Sequence, residues 1–320
     1  MSILVTGARG LLGSRLVALL AARGERVVAT DLRVDGAWPA GVTRFAADLL
    51  NANWRQLLEA HGVTQVAHLA AVVASQASTA AGRLHAIEVT GAQRLFTASV
   101  RAGVAQFVWA SSGAAYGYSR NLPVPVDESW PLSAHPDFPY AAHKQEFEQW
   151  LAARPHGGGP RVCVLRPCTV LAPGTSTAVT ELFERPRILL LRGYASPFCF
   201  IHADDAAAAF AHVLAVNAEG IYNLSGNGTL TLAEIAARLR KPTLSLPAGL
   251  LRMGLSMGRA LGLTGYTPGQ VDFLAYRPVL ANQKLKTGLG FTPKFSSEQA
   301  FEAWCSGASA VKTSAFSSQA

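Results

Sequence analysis

The stretch "TGARGLLG" (6–13) decides the fold, because it joins two segments of different periodicity through a glycine-rich turn. The preceding run, "ILVT" (3–6), is short and rich in β-branched and apolar residues, as in a buried strand. The following segment, "GLLGSRLVALLAARG" (10–24), has the apolar spacing of a helix and ends on a glycine. The chain therefore begins with a strand, a glycine turn and a helix.

Gly7, Gly10 and Gly13 are spaced by threes within this turn. Glycines there allow the backbone to turn tightly and to approach a pyrophosphate, while the helix amino end supplies N–H donors. A glycine triplet is specific only in this setting, between a strand and a helix. We therefore predict that the loop, with Arg9 and Leu11, binds a dinucleotide.

The second apolar run, "RVVATD" (26–31), ends at Asp31, eighteen residues beyond Gly13. This is close to the spacing expected for an acid that accepts a hydrogen bond from a ribose 2′-hydroxyl. A carboxylate at this position favours NAD, because it would repel the 2′-phosphate of NADP. Arg9 and Arg33 favour the opposite choice, since both could face that phosphate. We predict NAD as the cofactor, with NADP as the alternative.

Strands and helices alternate through the first two thirds of the chain. Further predicted strands are "TRFAAD" (43–48), "QVAHLAA" (65–71), "QFVWASS" (106–112) and "RVCVLRP" (161–167). Predicted helices are "NWRQLLEAHG" (53–62), "RLHAIEVTGAQRLFTASVRAG" (83–103) and a helix that contains Tyr140. This alternation predicts an α/β fold, a doubly wound parallel sheet of Rossmann type with helices on both faces.

After about residue 170 the alternation weakens, and Gly and Pro become frequent. We predict an NAD(P)-binding domain over 1–170 and a smaller, mainly substrate-binding lobe over 171–304, from which some segments return to the sheet. The small and polar residues 305–320 predict a disordered tail.

The segment "LSLPAGLLRMGLSMGRALGL" (244–263) places Leu and Met on one helical face and Arg252 and Arg259 on another. Three interpretations are open: a lid over an apolar substrate, a dimer surface, or ordinary packing.

Composition restricts the class of protein. Half of the residues are apolar and 15% are charged, as in a well-buried globular protein. The sequence shows no signal-peptide pattern and no apolar stretch of membrane-spanning length, so we predict a cytoplasmic protein without a membrane partner. The formal net charge of +8 is spread along the chain without a basic run, which disfavours nucleic acid as a partner. The four cysteines lack metal-type spacing, so no metal site is predicted.

Residues 140–144, "YAAHK", place a tyrosine and a lysine one turn apart on a predicted helix that follows Pro139. An ammonium beside a phenol favours the phenolate, so we expect the pKa of Tyr140 to fall toward neutral pH. Such a phenol can exchange protons with a carbonyl or an alcohol. We interpret His143 as a neighbour of this pair.

Several motifs together carry a family resemblance. In chain order they are "TGARGLLG", "AADL" (46–49), "AHLAA" (67–71), "WASSGAAYG" (109–117), "YAAHK" and "LRPCTV" (165–170). This series resembles the extended short-chain dehydrogenases/reductases, a group that includes the NAD-dependent epimerases and dehydratases. The resemblance continues to about residue 304. It is specific for the family and poorly specific for the substrate.

The resemblance implies a role for each matching residue. Ser112 matches the serine that hydrogen-bonds the reacting oxygen, and Tyr140 matches the proton donor or acceptor. Lys144 matches the lysine that binds the nicotinamide ribose and lowers the tyrosine pKa. Asp48 and Leu49 are implied to contact the adenine. The residues implied to contact the diphosphate and ribose are Leu69, Ala70 and Ala71. Pro167 is implied to contact the nicotinamide.

Departures from the family pattern concern the reaction first. Nucleotide-sugar 4,6-dehydratases have an Asp–Glu pair where this chain has Gly113 and Ala114, which cannot transfer protons. Double epimerase-reductases have a cysteine in place of Ala114. Glu88 stands where the family has an asparagine, which puts in doubt any proton relay through that position.

Other departures concern the substrate. Phe198 replaces an arginine that binds the diphosphate of nucleotide sugars, and Thr169 replaces an asparagine. Losing a bidentate cation removes a charge-assisted contact to phosphate. Arg277 resembles a second diphosphate arginine, although it could equally be a surface arginine.

The sequence therefore predicts an NAD(P)-dependent oxidoreductase that interconverts a secondary alcohol and a ketone. The predicted substrate is small, sugar-like or hydrophobic, and lacks a nucleotide diphosphate; Ala114, Thr169, Phe198 and Arg277 are predicted to contact it. The first alternative is a nucleotide-sugar 4-epimerase with tightly bound NAD, and the second is a non-catalytic NAD(P)-sensing protein. A homodimer is expected.

Overall fold

Short apolar runs form a parallel sheet that is buried on both faces. The computed structural model describes residues 1–72, 81–154 and 158–317. Its strands are β1 (Ser2–Thr6), β2 (Arg26–Asp31), β3 (Thr43–Ala46), β4 (Gln65–His68), β5 (Gln106–Ala110), β6 (Arg161–Pro167), β7 (Thr169–Leu171), β8 (Ile188–Leu191), β9 (Pro197–Phe198), β10 (Phe200–His202), β11 (Gly220–Leu224), β12 (Leu230–Thr231) and β13 (Thr243–Leu246).

The helices surround this sheet or build the smaller lobe. They are α1 (Leu11–Ala22), α2 (Trp54–Ala60), α3 (Ala81–His85), α4 (Ala92–Arg101), α5 (Pro139–Ala152), α6 (Ala178–Glu184), α7 (Ala203–Ala215), α8 (Leu232–Arg238), α9 (Ala248–Ala260), α10 (Gln270–Ala275), α11 (Gln283–Leu289) and α12 (Ser297–Ser317). A π-helical segment, Ala86–Gly91, joins α3 to α4, and a 3₁₀ turn, Gly113–Tyr116, follows β5. No helix in the described ranges is long and apolar enough to cross a membrane.

The large sheet has seven strands in the order β11-β6-β5-β4-β1-β2-β3, and every neighbouring pair is parallel. Strand β1 lies between β4 and β2, so the order of strands reverses there. In such sheets a crevice opens at the carboxyl ends of the strands on either side of the reversal. The predicted doubly wound fold is confirmed, and β11 is a seventh strand that the sequence pattern did not predict.

Side chains of each strand alternate between two apolar layers. Ile3 and Val5 of β1 pack in the layer that α1 and α7 cover, whereas Leu4 packs in the layer formed by α2, α4 and α5. Burial on both faces explains why the strands are nearly continuous apolar runs rather than alternating patterns. The inner strands β1, β4 and β5 are therefore buried along their whole length.

The smaller lobe is built from three two-stranded sheets and a compact aromatic core. Strand β7 pairs with β10 and β8 with β13 in parallel, whereas β9 and β12 are antiparallel. The buried aromatic side chains of this core are Phe183, Phe198, Phe200, Phe301 and Trp304. Strand β11 and helix α7, which come from the segment 171–304, complete the large sheet instead.

Helix α12 extends to Ser317, into the segment 305–320 for which the sequence predicts a disordered tail. Residues 318–320 lie outside the described ranges. The proposed domain boundaries stay a prediction.

Candidate active site

The glycine turn brings the ends of β1 and β4 into direct contact. Gly7 has a φ of +66°, and a Cβ on it would lie 2.7 Å from the backbone N and Cα of Ala70. A Cβ on Gly13 would lie 2.0 Å from the carbonyl oxygen of Gly7. No side chain fits at either position. Gly10 begins α1 without a side-chain cap, so the first-turn N–H groups are available to an anion.

Asp31 lies at the carboxyl end of β2, beside this turn. Its carboxylate accepts hydrogen bonds from the backbone N–H of Arg9 at 2.9 Å and of Leu32 at 2.7 Å. The Arg9 guanidinium lies over the Trp38 ring, 5.4 Å from its centre, and Arg33 is exposed. The fixed carboxylate keeps lone pairs that can accept a hydroxyl proton.

The other predicted cofactor residues follow neighbouring strands of the same sheet edge. Asp48 accepts from the N–H of Leu50 at 2.8 Å, and Leu49 is buried. Leu69 and Ala70 donate their N–H groups to the carbonyl and hydroxyl oxygens of Thr6, each at 3.3 Å. Ala71 comes next in the chain, and Pro167 ends β6. The carboxyl ends of β1, β2, β3, β4 and β6 thus collect these residues at one edge.

The three predicted catalytic side chains lie together at this edge. Pro139 begins α5, so Tyr140 and Lys144 share the face of its first turns. The Ser112 hydroxyl follows β5, lies within hydrogen-bonding reach of the Tyr140 phenol and accepts from the N–H of Ala114 at 3.1 Å. The Lys144 Nζ lies 5.4 Å from the centre of the Tyr140 ring.

The Lys144 ammonium is buried, with 2% of its side chain exposed, and it has a carboxylate partner. The Oε2 atom of Glu88 lies 3.1 Å from Nζ, and Glu88 is itself buried. Glu88 belongs to the π-helical segment, and its other carboxylate oxygen accepts from the N–H of Val72. The Trp109 ring covers the same ammonium, 5.1 Å from Nζ to its centre.

The sequence marked Glu88 only as a departure from an asparagine. The structure shows it to be the counter-ion of Lys144. The available signal was an acid on the apolar helix that precedes β5, because a buried acid requires a cation.

The environment of Tyr140 raises its pKa above the ordinary value. Burial is the main cause; Lys144 acts in the opposite direction, Glu88 adds to the rise, and the Ser112 hydrogen bond opposes it. The expected fall toward neutral pH is therefore wrong for the protein alone, because burial and Glu88 outweigh the ammonium. Burial by itself lowers the pKa of Lys144, but Glu88 and Tyr140 raise it above its usual value. At neutral pH the phenol is protonated and the amine is charged.

Two histidines near the site are neutral at physiological pH. Burial, with a smaller contribution from Lys144, lowers the pKa of His68 to about 3, and its ring bonds the Thr6 hydroxyl at 2.7 Å. Burial and His85 lower the pKa of His143, whose ring packs edge-on against His85. His143 is a neighbour of the site, and its contacts assign it no proton-transfer role.

A buried polar network fixes the position of the segment after β5, which carries Ser112. Glu148, one turn after the lysine, forms an ion pair with Arg166 at 2.6 Å and accepts from the hydroxyl of Ser111. Arg166 also donates to the Tyr116 hydroxyl at 2.7 Å. These contacts join α5, the segment after β5 and strand β6. They hold Ser112 at a fixed distance from the helix that carries the tyrosine.

Three of the predicted substrate residues also come together. The Arg277 guanidinium lies between the rings of Phe198 and Phe273, 4.5 Å and 4.3 Å from their centres. Its Nη2 donates to the Thr169 hydroxyl at 3.3 Å. Its Nη1 is buried and has no protein partner among the described residues. Arg277 is thus enclosed, and the interpretation as a surface arginine is wrong.

Leu280 packs closely on Gly113. A Cβ on Gly113 would lie 2.8 Å from the Cδ1 atom of Leu280. A side chain at this position would therefore require the Leu280 side chain to move. In the described ranges, no group of three or more His, Cys, Asp and Glu side chains is placed to hold a metal ion.

Comparison with known proteins identifies the family. The model of the NAD-dependent epimerase/dehydratase family matches residues 3–225. The chain belongs to the NAD-dependent epimerase/dehydratase family. This confirms the resemblance described above and, at the level of the family, the predicted enzyme class and NAD dependence.

Two related proteins and one solved structure illustrate the similarity. An uncharacterized protein of Mycobacterium tuberculosis is 26% identical over 313 residues, which cover 94% of this chain and 82% of the relative. A UDP-glucose 4-epimerase of Erwinia amylovora is 36% identical over 163 residues, 47% of this chain and 48% of that protein. The structure of Thermus thermophilus UDP-glucose 4-epimerase with NAD is similar, with a TM-score of 0.72 and 27% identity over 94% of this chain and 96% of that one.

The Glu88–Lys144 pair gives a test of stability. Glu88→Gln keeps the side-chain shape but leaves the buried ammonium without its counter-charge, so the free energy of unfolding should fall by about 3–5 kcal/mol. Urea unfolding at neutral pH measures the change. Because the pair raises the Lys144 pKa, its contribution is present below the usual lysine value of 10.5 and is lost as pH rises through the folded-state pKa.

The control is Glu59→Gln, which removes an exposed pair with Arg55 whose N–O distance is 2.7 Å. That change should cost no more than about 0.5 kcal/mol. Equal, small effects of the two substitutions would show that Glu88 does not balance the buried charge.

Proposed function

We propose that this chain interconverts a secondary alcohol and a ketone with NAD, on a small sugar-like or hydrophobic substrate that lacks a nucleotide diphosphate. One observation carries the proposal. A protonated phenol, a serine hydroxyl and a buried ammonium, those of Tyr140, Ser112 and Lys144, converge at the carboxyl edge of the sheet, which also carries the glycine turn. A homodimer and a cytoplasmic location stay predictions.

The residues around the turn fit NAD. Gly7 and Gly13 have no Cβ, and a Cβ at either position would overlap backbone atoms around the turn. The uncapped start of α1 offers N–H groups to a pyrophosphate. Asp31 suits a ribose hydroxyl, whereas the Arg9 side chain lies on Trp38, which favours NAD over NADP. We assign the adenine and ribose contacts to the family-matched residues after β3 and β4. When bound, NAD supplies the hydride acceptor or donor.

Tyr140 carries the proton in this proposal. Its raised pKa keeps the phenol protonated at neutral pH, so it can donate to the oxygen of a ketone. The Ser112 hydroxyl donates a hydrogen bond to the same oxygen and stabilises charge that develops on it. In the reverse direction, oxidation of an alcohol, the phenolate of Tyr140 accepts the alcohol proton. The Lys144 ammonium stabilises this phenolate. Lys144 also holds the nicotinamide ribose, as its match to the family lysine implies.

The substrate side supports a molecule without a nucleotide diphosphate. Phe198 occupies the place of a diphosphate-binding arginine and is 1% exposed, packed edge-on against Phe183. A buried phenyl ring offers no hydrogen bond to phosphate. Gly113 and Ala114 offer no acid for the elimination of water. These features favour simple redox chemistry at a carbinol carbon.

The second candidate is a nucleotide-sugar 4-epimerase with retained NAD. The unpartnered Nη1 of Arg277 favours it, because a buried guanidinium nitrogen without a partner can donate a hydrogen bond to an anionic substrate group. The similarity to UDP-glucose 4-epimerases points the same way. The non-catalytic alternative has little support, since the family is one of enzymes and both Tyr140 and Lys144 are present.

Removing the phenolic hydroxyl tests the assignment of Tyr140. Tyr140→Phe should lower the rate of NADH-dependent reduction across a panel of ketones by about 100-fold or more, because the proton donor is lost. NADH affinity, measured by fluorescence titration, should change little. The matched control is Tyr222→Phe, whose hydroxyl donates to the Glu219 carbonyl at 3.0 Å, away from the site. Full activity of Tyr140→Phe would refute the assignment.

Retention of the cofactor separates the two candidates. The purified protein should exchange its NAD freely with labelled NAD, as a dehydrogenase must after each turnover. An epimerase regenerates its cofactor and need not release it. NAD that survives gel filtration without exchange, together with conversion of UDP-glucose, would replace the first candidate with the second. Preference for NADPH would show that Arg9 and Arg33 outweigh Asp31.

A further inference from the structure

The smaller lobe contains a cavity of about 550 Å³. It lies between α6, β8, α8, α9 and α10, within the size range of about 300–1,000 Å³ typical of small-molecule sites. Its lining is largely aliphatic and includes Leu182, Ile188, Leu232, Leu251, Leu255 and Leu274. Three of these side chains, Ile188, Leu232 and Leu274, also belong to the buried core of the lobe and hold one wall of the cavity in place.

Polar side chains lie only at the outer part of this lining, as far as the described residues show. Glu181, Arg185, Arg187 and Tyr266 are exposed, and Gln270 is partly buried. A nucleobase or a ribose placed inside would lose water without gaining hydrogen bonds, which is unfavourable. A hydrocarbon group would gain from the same burial. The chemistry of the wall therefore selects an apolar ligand.

Three aromatic rings lie between the cavity and Tyr140. Phe138 lines the cavity and stands two residues before Tyr140 in the chain. Its ring stacks on that of Phe273, with 6.0 Å between centres, and Tyr118 packs edge-on against both. Phe273 also lines the cavity and covers Arg277. Tyr118 in turn lies close enough to Tyr140 for the two phenols to interact electrostatically, so these rings connect the cavity lining with the candidate active site.

Helix α9 forms the outer wall and has no fully buried residue. Leu251 and Leu255 face the cavity, whereas Met253 and Met257 on the same helix are 56% and 59% exposed. A ligand would complete the packing of the inward pair. Of the three interpretations of the segment 244–263, this arrangement favours the lid over an apolar substrate.

We propose that this cavity binds the hydrocarbon chain of an amphiphilic substrate whose carbinol or ketone carbon lies at Tyr140. The inference deepens the proposed function and rests on it for the placement of the reacting carbon. The cavity itself requires only a ligand with an aliphatic chain.

Binding can be measured without turnover. A fluorescent polyene fatty acid serves as the probe, added to the NAD-saturated protein. We expect saturable binding, and displacement by straight-chain secondary alcohols that strengthens by up to about fourfold for each added methylene until the cavity is full. Uridine diphosphate should not displace the probe. Absence of probe binding, or displacement by uridine diphosphate and not by long alcohols, would overturn the proposal.

Two tryptophan variants on one helix locate the site. Leu255→Trp fills the cavity and should weaken probe binding at least about tenfold, whereas Met257→Trp adds the same ring to the exposed face and should leave it unchanged. NADH affinity reports that each variant is folded. If Leu255→Trp does not fold, Leu251→Asn, which places an amide in the apolar wall, should give the same loss. Equal probe affinity in the inward and outward variants would contradict the assignment.

The same protein distinguishes failure of the chain site from failure of the proposed reaction. Tyr140→Phe should bind the probe as the unmodified chain does. Probe binding without oxidation of any long-chain secondary alcohol would leave the cavity assignment standing and refute the proposed reaction. Oxidation of short alcohols at a rate that does not rise with chain length would support the proposed reaction and refute the cavity assignment.

Discussion

The site depends on the burial of one ammonium group. Lys144 is withdrawn from water at the edge of the sheet, and removing a charge from water costs several kcal/mol unless a counter-charge lies close. Glu88 supplies that charge from the π-helical segment, and the rings of Trp109 and Tyr140 enclose the remaining surface. The Glu88–Lys144 ion pair therefore links α5 to the π-helical segment that precedes α4.

This ion pair also affects the proton chemistry. Lys144 stabilises a phenolate at Tyr140, but the Glu88 carboxylate opposes it, and burial raises the phenol pKa further. The balance favours the protonated phenol, which suits donation to a ketone. An asparagine at this position, as in the family pattern, would lack the negative charge. Glu88 thus shifts the resting state of the tyrosine toward the acid form.

Local patterns in the sequence predicted the frame of the molecule and the position of the candidate site, whose catalytic roles stay a prediction. The glycine turn, six strands and the spacing of Tyr140 and Lys144 are properties of short segments, so they can be read directly. Strand β11 was missed because Gly220–Leu224 joins the sheet only through pairing with β6, far away in the chain. The enclosure of Arg277 between two rings depends on residues far apart in sequence. The direction of the Tyr140 pKa shift depends on burial, which spacing does not reveal.

The most direct test of this account is an ultraviolet difference titration of the Tyr140 phenol. Subtracting the Tyr140→Phe curve isolates its ionisation in the protein without added substrate. The account predicts an apparent pKa above the ordinary tyrosine value of 10.0 and a lower one in Glu88→Gln, since that change removes the opposing carboxylate. A pKa below 10.0 that Glu88→Gln leaves unchanged would contradict this prediction, because the Lys144 ammonium alone would then determine the direction of the shift.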